Sequence, residues 1–236
     1  MVEVHTTALN VKRGKMRIVE TKNLIFEDYT DMPYLDEIVS YVSKHEQEIL
    51  NFFRIPEFNP KWKVQFIPFE EFKNTMIQLR GKYEDYEAGL TQQSIKTIKS
   101  LNIEDQIKYT KHKDCDINRI RKMIVHEFVH ASYSVLLPNS IQWFNEALAT
   151  YLSHQDRELK DISDVDLTGL KIFNDIAPKG GYTYAYYIAR YLFDNYSEDE
   201  IYKLVSDRDY LIEKQNGIFE ETKEWIKKQV NNNTKK

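Results

Sequence analysis

The chain has 236 residues, 33 Lys and Arg against 37 Asp and Glu, and a formal net charge of -4; hydrophobic residues make up 42%, charged residues 30% and aromatics 13%. That balance belongs to a folded chain able to bury a core, and it excludes the disordered, collagen-like and membrane-spanning classes. With 7 Gly, neither a P-loop nor a dinucleotide fingerprint, and basic residues dispersed among acidic ones, ATP, NAD and nucleic acid are not expected ligands.

Residues 1–20 read as a polar segment of mixed charge, without an apolar run of signal-peptide length. The single cysteine, Cys115, cannot close an intramolecular disulfide. Together these two readings predict a cytoplasmic protein with no membrane partner. Leu35, Ile38, Val39, Val42, Ile49, Leu50 and Phe53 recur at helical spacing behind Pro33, which predicts a helix over 34–53. Trp62, Val64 and Phe66 alternate with Lys61, Lys63 and Gln65 up to Pro68, a half-buried strand over 61–67. A second strand is expected within Ala88–Ser100.

Asp116 or Asn118 can cap a helix over 118–134 whose apolar positions are Ile120, Met123, Ile124, Phe128 and Ala131. A further helix is expected over 141–153, followed by about twenty Asp-rich residues as loop or broken helix. Helices over 182–195, 198–206 and 217–230 fill the C-terminal half, and 231–236, NNNTKK, reads as a disordered tail. The order of elements predicts an α+β fold, with one domain over 21–230 made of an α/β lobe to about residue 135 and a helical lobe after it.

The chemistry concentrates in His126-Glu127-Phe128-Val129-His130, an H-E-x-x-H on the helix over 118–134. Two His four apart share one helix face and can both reach one zinc ion, while Glu127, about 100° further round, is placed to take a proton from a bound water. A catalytic zinc keeps three protein ligands and a water, so a third ligand is required. The extension that would supply a third His needs Gly at 133 and His at 136, where Tyr133 and Leu136 stand. Cys115 and His154 are alternatives, but Glu146, a carboxylate embedded in the apolar stretch Trp143–Ala149, is the stronger candidate, because a buried acid needs a cation.

This ordered set resembles the gluzincin metallopeptidases of the peptidase MA-like superfamily, in which a glutamate on the following helix completes an H-E-x-x-H site; Asn145-Glu146-Ala147 is similar to their N-E-x element. The resemblance implies a thermolysin-like catalytic core with a small mixed N-terminal sheet, whose edge strand pairs with an extended peptide. It also implies Zn2+ on His126, His130 and Glu146, with Glu127 as general base and a peptide or protein as substrate. Tyr182, in Tyr182-Thr183-Tyr184-Ala185, looks like the family's oxyanion-stabilising tyrosine, with Tyr184 and Tyr186 as alternatives.

Two departures stand out. Thr150 occupies the place, four residues after Glu146, where thermolysin-like members carry an aspartate behind a zinc-bound histidine, and Glu87-Ala88-Gly89-Leu90 lacks the aminopeptidase glutamate that grips a free amino terminus. The expected activity is endopeptidase-like peptide-bond hydrolysis. The alternative is a module that keeps the fold and binds a peptide or protein without cleaving it.

Overall fold

The computed structural model describes residues 5–11, 14–158, 167–177 and 180–233, and within them the chain is α+β. It divides into two compact units, Met1–Ser132 and Tyr133–Lys236.

The first unit is organised by strands β1 (His5–Val11), β2 (Gly14–Glu20), β3 (Leu24–Asp28), β4 (Trp62–Phe66), β5 (Gly89–Gln92) and β6 (Thr97–Ser100). They form a mixed sheet in the order β1-β2-β3-β4-β6-β5. β1, β2 and β3 run antiparallel in sequence. β3, β4 and β6 are parallel neighbours, an arrangement that requires crossover connections. Helix α1 (Leu35–Phe52) provides the first crossover, and the second runs through α2 (Phe69–Arg80) and β5, which turns back antiparallel onto β6.

α1 lies as its apolar spacing dictates, burying Leu35, Ile38, Val39, Val42, Ile49 and Leu50. On β4, Trp62, Val64 and Phe66 are buried on one face, while Lys63 and Gln65 stand on the other. Phe58 bridges Trp62 to Phe128, with ring centroids at 5.6 and 5.3 Å. Phe128 belongs to α4 (Ile117–Leu136), whose first turn is capped by the Asp116 carboxylate accepting the Arg119 N–H at 2.8 Å. Between β6 and α4, α3 (Ile103–Tyr109) opens on Asn102, whose side chain accepts the Asp105 N–H at 2.8 Å.

The second unit is helical among its described residues. It contains α5 (Gln142–Leu152), a short 3-10 turn at Leu167–Ile172, α6 (Phe173–Ile176), α7 (Gly181–Asn195), α8 (Glu198–Ser206) and α9 (Arg208–Asn233). α5 packs along α7, and its buried Trp143 meets Phe219 of α9 edge-on at 4.9 Å. α8 starts at a reciprocal cap in which Ser197 and Glu200 satisfy each other's backbone N–H groups. No helix among the described residues is long and apolar enough to cross a membrane.

Several expectations are corrected here. The polar opening segment contains the β1–β2 hairpin. The stretch Ala88–Ser100 is two strands, because a 3-10 turn at Gln93–Ile95 and a left-handed Lys96 reverse the chain between them. α9 begins at Arg208 rather than at 217 and continues to Asn233, into the expected tail; residues 234–236 lie outside the described ones. So does 159–166, most of the Asp-rich connection.

Gly217 interrupts the helical signal within α9. It sits exposed inside the helix, where an added Cβ would meet nothing, so it costs backbone entropy without serving packing. Gly217→Ala is expected to stabilise the protein by about 0.5–1 kcal/mol, seen as a rise of about 1–4 °C in calorimetric Tm.

Candidate metal centre

α4 is apolar around most of its circumference. Ile120, Ile124, Val125, Phe128, Val129 and Ala131 are all fully buried, which is why the sequence folds as a buried helix here. His126 and Glu127 are carried inward with them and are only 7% and 8% exposed. One turn later His130 lies over His126, the rings perpendicular with centroids 4.6 Å apart and the two Nε2 atoms at 3.0 Å.

Facing Nε2 atoms at that distance either share a proton or share a cation, since two bare lone pairs would repel. Two nitrogens bound tetrahedrally to one zinc are separated by about 3.3 Å, so little movement separates the two states. Glu146 of α5 completes the group. Ligand atoms of His126, His130 and Glu146 all lie within 4.8 Å of one another. Two imidazoles and one carboxylate make a donor set that could hold a divalent metal ion.

Glu127 is held elsewhere. Its Oε2 accepts the Thr91 hydroxyl of β5 at 2.7 Å, and the same hydroxyl lies 3.0 Å from the Glu127 carbonyl. Gly89, two residues earlier on β5, passes so near that an added Cβ would stand 2.9 Å from Oε1 and 3.3 Å from Cγ of Glu127. Neither Thr91 nor the role of Gly89 is evident from the motif alone. The available signal is a glycine inside a strand, which marks a close approach by another group.

The remaining candidates are placed as follows. Tyr182 is half-buried in the first turn of α7, its ring edge-on to Phe173 at 5.2 Å. Tyr186 is committed to Asp156, donating to Oδ1 at 3.0 Å, and burial and that carboxylate push its hydroxyl up to about 12. The neighbouring Tyr187 hydroxyl donates to the Arg157 carbonyl at 2.6 Å. Neither Cys115 nor His154 belongs to the ligand group. Cys115 is buried and donates to Gln106 Oε1 at 3.3 Å, while His154 is exposed at the end of α5 in a left-handed conformation. Glu87 is also spoken for, its carboxylate pairing with Arg80 and accepting the Glu84 N–H at 3.0 Å.

Neither a scan against protein-family models nor a search of the curated proteins matches this chain.

Two outcomes follow from this geometry. Equilibrium dialysis against zinc is expected to give about one ion per chain, with affinity falling at least about 100-fold in both His130→Ala and Glu146→Ala. Burial pushes the Cys115 thiol up to about 11, so its reactive thiolate is scarce at pH 8. Alkylation of the native protein by iodoacetamide at pH 8 is therefore expected to be at least about tenfold slower than in urea.

Proposed function

We propose that this chain is a zinc-dependent peptide-bond hydrolase of gluzincin type, endopeptidase-like in action. The observation that carries the reading is the separation of roles around one helix turn. His126, His130 and Glu146 converge within 4.8 Å, while the intervening Glu127 is kept out of that group, with its carboxylate against β5.

In this reading His126 and His130 present neutral Nε2 lone pairs and Glu146 a carboxylate oxygen to the ion. A zinc ion held there would supply Lewis-acid polarisation of a carbonyl and a bound water of lowered pKa. Glu127 takes a proton from the attacking water and delivers it to the leaving amine, so one carboxylate serves as base and then as acid. Tyr182 donates its hydroxyl to the developing oxyanion. Among the described residues β5 is the outer strand on its side of the sheet, and an outer edge suits an extended peptide added as a further strand.

Endopeptidase action is favoured over exopeptidase action because Glu87, the acid closest to Gly89 along β5's approach, is neutralised by Arg80. It offers no anchor to a peptide's amino terminus. The cytoplasm is the compartment proposed, from the lone buried thiol.

The test is digestion of casein or a mixed peptide library by zinc-loaded protein, read by mass spectrometry. Cleavage within chains that stops on adding a chelator, and falls at least about 100-fold in Glu127→Gln with zinc retained, is the expected result. Intact peptides that nevertheless co-elute with the protein would replace the hydrolase by a peptide-binding module.

A further inference from the structure

We propose that Thr91 is a positioning residue for Glu127: its hydroxyl, presented by the outer strand β5, fixes the carboxylate in a single orientation within space that Gly89 leaves open. The inference deepens the peptidase reading and rests on it for what Glu127 then does.

A glutamate carries three side-chain torsions, and burial alone selects none of them. Among the described residues Thr91 is the hydrogen-bond partner of the Glu127 carboxylate. A hydroxyl has one proton to give, and the shorter contact, 2.7 Å to the charged Oε2 against 3.0 Å to the carbonyl, marks the carboxylate as its acceptor. Oε2 is thereby engaged. Oε1 lies over Gly89, where a Cβ would intrude at 2.9 Å.

The placement follows from strand geometry. Residues 89 and 91 are two apart, so they share a face of β5 and lie about 7 Å apart. Thr91 pairs with Ile98, which pairs with Val64, so this is the face whose apolar residues on β4 include Val64. The intervening Leu90 points the other way and is buried with Ile67, Phe72, Met76 and Leu101. The strand is thus anchored from behind by Leu90 and tied laterally to β6, and the carboxylate takes its position from the sheet rather than from its own flexible stem. A displacement of about 1 Å at a catalytic group can cost about 100-fold in rate, which gives such an anchor its value.

The experiment compares the full-length protein with Thr91→Val, which removes the hydroxyl at nearly constant shape, and Thr91→Ser, which restores it. Zinc content and zinc affinity are expected to be the same in all three, since Thr91 does not belong to the ligand group. Thr91→Val is expected to lower kcat about 10–100-fold with KM within about threefold, and Thr91→Ser to recover to within about threefold of wild type. In the Glu127→Gln background, Thr91→Val is expected to cost nothing further, because the two residues act as one unit. Wild-type kcat in Thr91→Val, or a loss that Thr91→Ser does not repair, overturns the proposal.

Crystal structures of zinc-loaded wild type and Thr91→Val decide the matter without catalysis. A Glu127 carboxylate turned away from β5 in Thr91→Val supports the proposal, and one left in place overturns it. Should the zinc-loaded wild type cleave no peptide, the hydrolase reading fails, while the crystallographic comparison still settles what Thr91 does.

Discussion

A helix buried on most of its sides gives its polar side chains no water to fall back on, and α4 is such a helix. An amide or hydroxyl left without a partner in that setting costs about 1–3 kcal/mol, and a charge far more. His126 and Glu127 enter the interior on the same turns that bury Ile124, Val125, Phe128 and Val129, with His130 half-buried one turn on, so the two buried groups must each meet a complementary one. The two imidazoles turn their Nε2 atoms on one another, and Glu127 reaches sideways to the sheet. What looks like a catalytic motif in the sequence is, in energetic terms, a set of polar debts inside a hydrophobic helix. His126, His130 and Glu146 bring ligand atoms within 4.8 Å of one another, a grouping that could hold a metal ion.

That demand reaches into the sheet. Thr91 can meet Glu127 only if β5 comes close to α4, and β5 comes close only because residue 89 has no Cβ. The strand in turn needs β6 beside it, and the reversal joining them depends on Lys96 in a left-handed conformation. Behind it, Leu90 is buried with Phe72 and Met76 of α2, a helix that Pro68 opens and left-handed Gly81 closes. Single residues with special backbone needs therefore fix the distance between strand and helix, and the bulk of the core keeps it fixed.

Much of this was legible in the sequence, in proportion to how far each element buries a regular pattern. α1, α4, α5, α7 and α8 declare themselves through apolar residues at helical spacing, α4 and α8 also through the capping side chains of Asp116 and Ser197, and β4 through clean alternation. β3 was not legible, since its burial includes Glu27 and Asp28, polar residues whose partners come from elsewhere in space. The same holds at the site. His126, Glu127, His130 and Glu146 could be picked from spacing and context, but Thr91 lies 36 residues from Glu127 and carries no local mark of its role. α2 is marked at its ends by Pro68, Glu70, Glu71 and Gly81, but its exposed Ile77 and Leu79 blur the apolar face that would declare it a helix.

Among its described residues the first unit buries three glutamates, Glu27, Glu46 and Glu127, and they keep different company. Burial alone would raise Glu27, yet the Lys63 ammonium with the Gln65 amide and the Tyr29 hydroxyl holds it below its ordinary value; a carboxylate so fully bonded has nothing left to offer a substrate. Glu46 is raised by burial against the weaker pull of Thr21 and Asn23, which ties α1 to the start of β3 and leaves both oxygens occupied. Glu127 differs from both. It has one neutral donor, no cation at hydrogen-bond distance among the described residues, and an oxygen lying over a glycine. Stability would be served by a second donor in that gap, as it is at Glu27. Gly89, with no Cβ to intrude on Oε1, keeps that gap open, as the general-base role proposed for Glu127 would require.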